Sequence, residues 1–192
     1  MIPTRQSSPD SEPSPVRRRL LDAAAARLVS QGYAATTLRQ VAAEVDIKAS
    51  SIYHHFPSKE ALFTAVFRDG IVVMVDAFEQ SDRTLPAYVR AHLGALFEHG
   101  PYTAAHVTAF FTAPPAVRQA VVPARDGYES LWNSVLADLF PQLNPKEVAL
   151  HRLILFGAMN STIEWFDIDG NVTLDELSAT IANQFEHGVE SS

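Results

Sequence analysis

The chain has 192 residues, 47% hydrophobic and 19% charged, which is enough apolar material to bury a core and too much for a disordered polymer. It has no cysteine, which excludes disulfides, thiolate metal sites and cysteine nucleophiles. A net charge of -7 argues against a polyanion binder as a single figure, yet residues 1–68 hold nine Lys and Arg against six Asp and Glu, while residues 69–192 hold six against sixteen. A basic front and an acidic back point to two jobs in one chain.

Residues 1–15 are rich in proline and serine with almost no hydrophobe, and are expected to form a disordered tail. Ser14 then reads as an N-cap with Pro15 at the first helical position, opening a helix to about Gln31 that Gly32 caps. Leu20, Leu21, Ala24 and Leu28 line one face of it. Thr37 and Gln40 have capping-box spacing before a short helix whose stripe is Leu38, Val41, Ala42 and Val45. A break at Asp46-Ile47 leads to a second short helix, about Ala49–His55, which Phe56-Pro57 ends. Ser58 begins a long helix lined by Leu62, Val66 and Val73.

The remainder predicts helices over 85–99, 101–112, 115–121, 123–140, 145–166 and 174–188. Capping-box pairs stand at Asn144 with Glu147 and at Thr173 with Glu176. No β-alternation or repeat interrupts this pattern, so the fold expected is all-α. No apolar run reaches bilayer length and no hydrophobic segment follows Met1, so a cytoplasmic chain without membrane contact is expected.

Two short helices joined by a tight turn behind a longer helix are the helix-turn-helix arrangement. In the second short helix, Ile52 and Phe56 are spaced to anchor the core. Ala49, Ser50, Ser51, Tyr53 and His54 are left for solvent or a ligand, and small residues at the tip allow close backbone approach. His55 is assigned to packing.

Gly32-Tyr33, Thr36-Thr37, Val41-Ala42, the run Ile52-Tyr53-His54-His55-Phe56 and the run Ser58-Lys59-Glu60-Ala61-Leu62 resemble the ordered pattern of the tetracycline-repressor (TetR) family of bacterial regulators. The likeness covers about residues 16–67. Two positions depart from it: Asp46 stands where the family has a turn glycine, and Lys48 where it often has a small hydroxyl N-cap. Asp tolerates a left-handed backbone, and Lys48 adds a cation able to reach a phosphate or a guanine edge.

The resemblance implies an N-terminal three-helix DNA-binding domain over 16–68 and a larger helical ligand-binding and dimerisation domain over 69–192. It assigns DNA contact to Thr37, Lys48, Ala49, Ser50, Ser51, Tyr53, His54 and Lys59, with Thr37 and Lys59 at helix N-termini suited to phosphate. Arg17, Arg18 and Arg19 stand evenly between reaching the DNA and forming a solvated charge run. The partners implied are a double-stranded palindromic operator, a small-molecule effector and a second copy of the chain as a homodimer.

In the acidic back half, the stretch Phe156–Phe166 is similar to the penultimate helix of family members that answer to acyl-CoA-type or other lipophilic metabolites. Gly157, Ala158 and Ser161 there allow close helix approach across a dimer. An apolar pocket with a few polar groups draws its candidates from Tyr102, Phe110, Phe111, Tyr128, Trp132, Phe156, Asn160 and Trp165.

Three other patterns carry no site. His92, His99 and His106 recur every seven residues, but Gly100-Pro101 breaks the helix between them, so surface or pocket histidines are the expectation rather than a metal face. Asp167 to Asn171 begins like a calcium loop and lacks its later glycine and glutamate. No catalytic set stands out, so no enzyme, metal or cofactor is expected. The reading is a ligand-responsive repressor released from its operator by a small lipophilic metabolite or drug. The alternatives are a ligandless architectural DNA-binding protein, whose DNA affinity no metabolite changes, and a small-molecule binder with a vestigial helix-turn-helix, which lacks salt-dependent DNA binding.

Overall fold

The computed structural model describes residues 14–190. Eight α-helices lie among them in the order α1 (Pro15–Ala35), α2 (Leu38–Glu44), α3 (Lys59–Glu79), α4 (Leu85–Phe97), α5 (Pro101–Ala109), α6 (Pro115–Leu139), α7 (Pro145–Ser161) and α8 (Leu174–Glu190), with no strand among the described residues. The tail expected over residues 1–15 falls, up to residue 13, outside the described residues.

Local chemistry sets most boundaries. The Ser14 side chain accepts from the Arg17 backbone at the head of α1, and Gly32 at φ 76°, a region open to glycine, breaks the helical path near its end. Thr37 and Gln40 form the capping box of α2, and Asn144 and Glu147 that of α7. Thr173 and Glu176 exchange the same bonds before α8. Asp46 takes φ 57°, so it does the work of a turn glycine.

Three expectations require correction. The segment expected as a helix over 49–55 is a turn followed by a single 3-10 turn, Ser51–His54. The helices expected over 115–121 and 123–140 are one, since α6 runs through Pro123. Pro123 and Gln119 both face solvent, where water reaches the carbonyl that the proline leaves without a donor. In the same turn Arg68 donates from α3 to the Ala120 carbonyl at 2.6 Å. Finally, α7 stops at Ser161 and gives way to a 3-10 turn, Thr162–Glu164, where a helix to residue 166 was expected.

Helix α3 is central and packs against α1, α4, α5 and α6, while α8 lies on α4 and α7 on α6. It is continuous across residues 68 and 69. Where α3 crosses α5, a Cβ at Gly70 would stand 2.6 Å from the Tyr102 carbonyl oxygen, so this approach needs glycine. Phe63, Phe67, Leu93, Trp132 and Leu155 are fully buried in the core that these helices share.

Candidate functional site

Helix α1 is stapled onto the helix-turn-helix. Arg27 pairs with Glu44 at 2.6 Å, Arg19 donates to the Val45 carbonyl, and the Arg17 guanidinium lies 4.7 Å from the centre of the Phe56 ring. Arg18 pairs with Asp22 and lies over Tyr102. All three arginines of the run thus fold back onto the protein. Ile52 and Phe56 are buried, which turns the intervening residues outward.

Of the residues assigned to DNA contact, Thr37, Lys48, Ala49, Ser50, Tyr53 and His54 are exposed and Ser51 is half-buried. The Thr37 hydroxyl is engaged in its capping box, donating to Gln40 Oε1 at 2.8 Å. Lys59 is placed differently from the expectation. Its ammonium donates to the Tyr33 carbonyl at 2.6 Å and sits 4.4 Å from the centre of the Tyr33 ring. Burial lowers its pKa, and the ammonium ties the end of α1 to the start of α3. Arg39, which the sequence reading passed over, is exposed on the first turn of α2, and neither its side chain nor that of Lys48 has a partner among the described residues. A basic residue just inside a capped helix start was the available signal.

The second feature is a cavity of about 40 Å³ between α3, α4, α5, α6 and α7. Ile71, Met74, Val107 and Phe156 give it apolar walls, and His92, His106, Arg125, Tyr128, Glu129 and Asn160 bring polar atoms. Three expected pocket residues line it: Tyr128, Phe156 and Asn160. Trp132 is buried behind it against His92 and Phe156. Phe110 is core, stacked on His106. Tyr102 points elsewhere, its hydroxyl donating to Asp22 on α1 at 2.6 Å. Phe111 and Trp165 are 66% and 62% exposed and so are surface residues.

Surface or pocket histidines were the expectation, and both kinds occur. The Gly100-Pro101 break that separates their helices folds α5 against α4, and His92 and His106 both reach the cavity while His99 stays exposed. Asn160 Oδ1 only accepts, so His92 Nε2 donates to it and Nδ1 accepts from the Tyr128 hydroxyl, each at 2.9 Å. Burial pushes His92 down to about 4. Burial, and next the charge of Arg125, push His106 down to about 3, so both rings are neutral near neutral pH. No group of three or more potential ligands for a metal ion occurs among the described residues, and no helix among them is long and apolar enough to cross a membrane.

A buttressed helix-turn-helix joined to a larger helical body defines the class of helix-turn-helix DNA-binding regulators. The family models of bacterial regulatory proteins of the tetR family and of the tetracyclin repressor-like C-terminal domain match residues 20–66 and 79–189. The chain belongs to the TetR family of transcriptional regulators. The repressor KstR2 of Mycolicibacterium smegmatis is 37% identical over 75 residues, 38% of this chain and 37% of that protein. The chain thus spans little more than a third of that curated relative's length. A TetR-family regulator from Bordetella parapertussis 12822 shares the fold with a TM-score of 0.80 at 21% identity, over 90% of this chain and 95% of that one. AibR in complex with isovaleryl coenzyme A and operator DNA does so with a TM-score of 0.75 at 19% identity, over 88% and 97%.

Proposed function

We propose that the chain is a ligand-responsive, cytoplasmic repressor that binds a palindromic operator as a homodimer and leaves it when a small molecule enters the cavity. Residues 16–68 form its DNA-binding unit and residues 69–192 its effector and dimerisation unit, with α3 common to both. Lys48, Ser50, Tyr53 and His54, exposed around the buried anchors Ile52 and Phe56, are its groove-facing residues.

The observation that carries this reading is the double role of α5. His106 lines the cavity, and one turn earlier Tyr102 holds Asp22 of α1. An effector that displaces α5 therefore pulls on α1, which is stapled to the helix-turn-helix through Arg19 and Arg27. At about 40 Å³ the cavity is far below the roughly 300–1,000 Å³ of drug-sized sites, so an effector that enters it displaces its walls and shifts the population toward an opened state. A coupling of about 1–3 kcal/mol is the usual scale for such a shift. The homodimer is supported by α7, which exposes Leu150, Leu153 and Ile154 at 57%, 58% and 56% next to Gly157 and Ala158.

The test is a mobility-shift titration of the full chain on the DNA flanking its own gene, over a salt series. Expected is a discrete complex whose affinity falls steeply with salt and is lost in the Lys48→Ala, Tyr53→Ala double variant. Salt-independent retention, or a double variant that binds as well as the wild type, overturns the reading.

A further inference from the structure

The polar end of the cavity is unbalanced. Arg125 and Arg152 share one carboxylate, and Glu129 is committed to Arg152: Arg152 Nη2 meets Glu129 Oε2 at 2.9 Å, while Arg125 Nη2 stands 3.4 Å from Oε1. Asn133 takes the Arg152 Nε donor at 2.9 Å. Arg125 is instead held by its faces, with its guanidinium carbon 4.8 Å and 5.3 Å from the ring centres of Phe110 and Phe111. With Nη2 on Glu129, this packing leaves Nε and Nη1 of Arg125 to take a carboxylate. The neighbouring histidines are neutral, so Arg125 is the cation of the cavity lining, and across Glu129 from it the buried Nη1 of Arg152 also lacks a partner.

A second unmet group lies beside it. His106 Nδ1 is buried with no hydrogen-bond partner, and in the tautomer that carries its proton on the other nitrogen it is an acceptor. A neutral imidazole nitrogen of this kind accepts, so the cavity offers a lone pair that requires an O–H or N–H donor. Arg125 and His106 both line the cavity and both pack on Phe110, the His106 centroid 5.1 Å from that ring, so the two groups share one wall of the cavity. The size of the space limits what spans them. At about 40 Å³ it exceeds the roughly 10–15 Å³ that admits a single water and holds only a few waters, so only a short molecule enters, and a short-chain acid does so by shifting the walls.

We infer that the cavity takes a short-chain hydroxycarboxylate, its carboxylate on the edge of Arg125, its hydroxyl donating to His106 Nδ1 and its alkyl part against Ile71, Met74, Val107 and Phe156. This rests on the regulator reading for its consequence at the operator, but not for the binding itself.

The experiment is thermal denaturation and calorimetric titration of the full chain with 3-hydroxybutyrate and 2-hydroxyisovalerate, beside butyrate, isovalerate and 3-hydroxybutyramide. The hydroxy acids are expected to raise the melting temperature and to bind more tightly than the plain acids, with the amide inert. Arg125→Gln should weaken the hydroxy acids on the order of tenfold to a hundredfold, with Arg125→Lys intermediate. His106→Leu, an apolar change that keeps a side chain on Phe110, should erase the preference for the hydroxyl, so that hydroxy acids and plain acids bind alike. The proposal is overturned if the amide binds as well as the acid, if the plain acids bind as well as the hydroxy acids, if both Arg125→Gln and His106→Leu bind like the wild type, or if no hydroxy acid binds. Operator binding by the unliganded chain is scored separately. Its loss with hydroxy-acid binding intact refutes the regulator reading alone, and the converse refutes the ligand alone.

Discussion

The Tyr102 hydroxyl donates a 2.6 Å hydrogen bond to Asp22 Oδ1, tying α5 to α1 across 80 positions of sequence. Tyr102 is buried, and burial together with the Asp22 carboxylate raises its pKa, so it remains a donor throughout the physiological range. Tyr102→Phe removes the bond and keeps the ring that packs under Arg18. The expected cost is about 1–2 kcal/mol in urea denaturation, because the acceptor is charged but partly solvated. Effector response in a mobility-shift assay should weaken more than operator affinity does, since the substitution touches the link between the two units and neither binding surface. Equal loss of both would mean that Tyr102 only supports the fold.

The exposed cations make a separable prediction. Lys48 and Arg39 have unpartnered side chains among the described residues, so each alanine substitution should reduce the salt dependence of operator binding by about one counterion. Lys59→Ala should do something different. Its ammonium bonds the Tyr33 carbonyl, so the variant should lose stability and leave the salt slope near the wild-type value. A Lys59→Ala slope reduced as much as that of Lys48→Ala would restore Lys59 as a phosphate ligand.

What the sequence revealed was what is decided within a few residues. The caps at Ser14, Thr37 and Asn144, the left-handed Asp46 and the buried pair Ile52 and Phe56 follow from local chemistry and spacing. What it concealed depends on distant partners. Pro123 reads as a stop, yet α6 runs through it, with Arg68, 52 positions away, donating to the Ala120 carbonyl in the same turn. Aromatic identity alone separates neither Phe111, which is exposed, from Phe156, which lines the cavity, nor Tyr102 from Tyr128. The two cavity histidines lie on different helices, so no single-helix periodicity reports that they converge.

The apolar face of α7 yields a prediction about assembly. Leu153 and Ile154 are large, exposed and adjacent to Gly157 and Ala158, a surface whose burial against a second copy is worth roughly 25 cal/mol per Å². Leu153→Asp places a charge there without disturbing the core of the protomer. In sedimentation the wild type should behave as a dimer and the variant as a folded monomer, with operator affinity lost because half-sites are no longer bridged. A variant that stays dimeric would move the interface off this face.

Acid should destabilise the protein through the cavity. His92 and His106 are held neutral in the fold, pushed down from 6.5 to about 4 and about 3. Their folded pKa values lie below the unfolded one, so their stabilising effect is complete above pH 6.5, declines as the unfolded chain takes up protons below it, and is lost once the pH has passed the folded values. At about pH 5 each should cost about 2 kcal/mol relative to neutral pH. The groups that share the cavity reinforce the sign for His106: Arg125 opposes a positive ring, and Glu129, the carboxylate in the lining, is already bound to Arg152. Urea midpoints measured from neutral pH down to about pH 5 should fall by twice as much in the wild type as in His106→Leu, which keeps only the His92 contribution. A His106→Leu midpoint that falls as steeply as the wild type would place the acid sensitivity outside the cavity, and with it remove the argument that a neutral His106 offers its lone pair to a ligand.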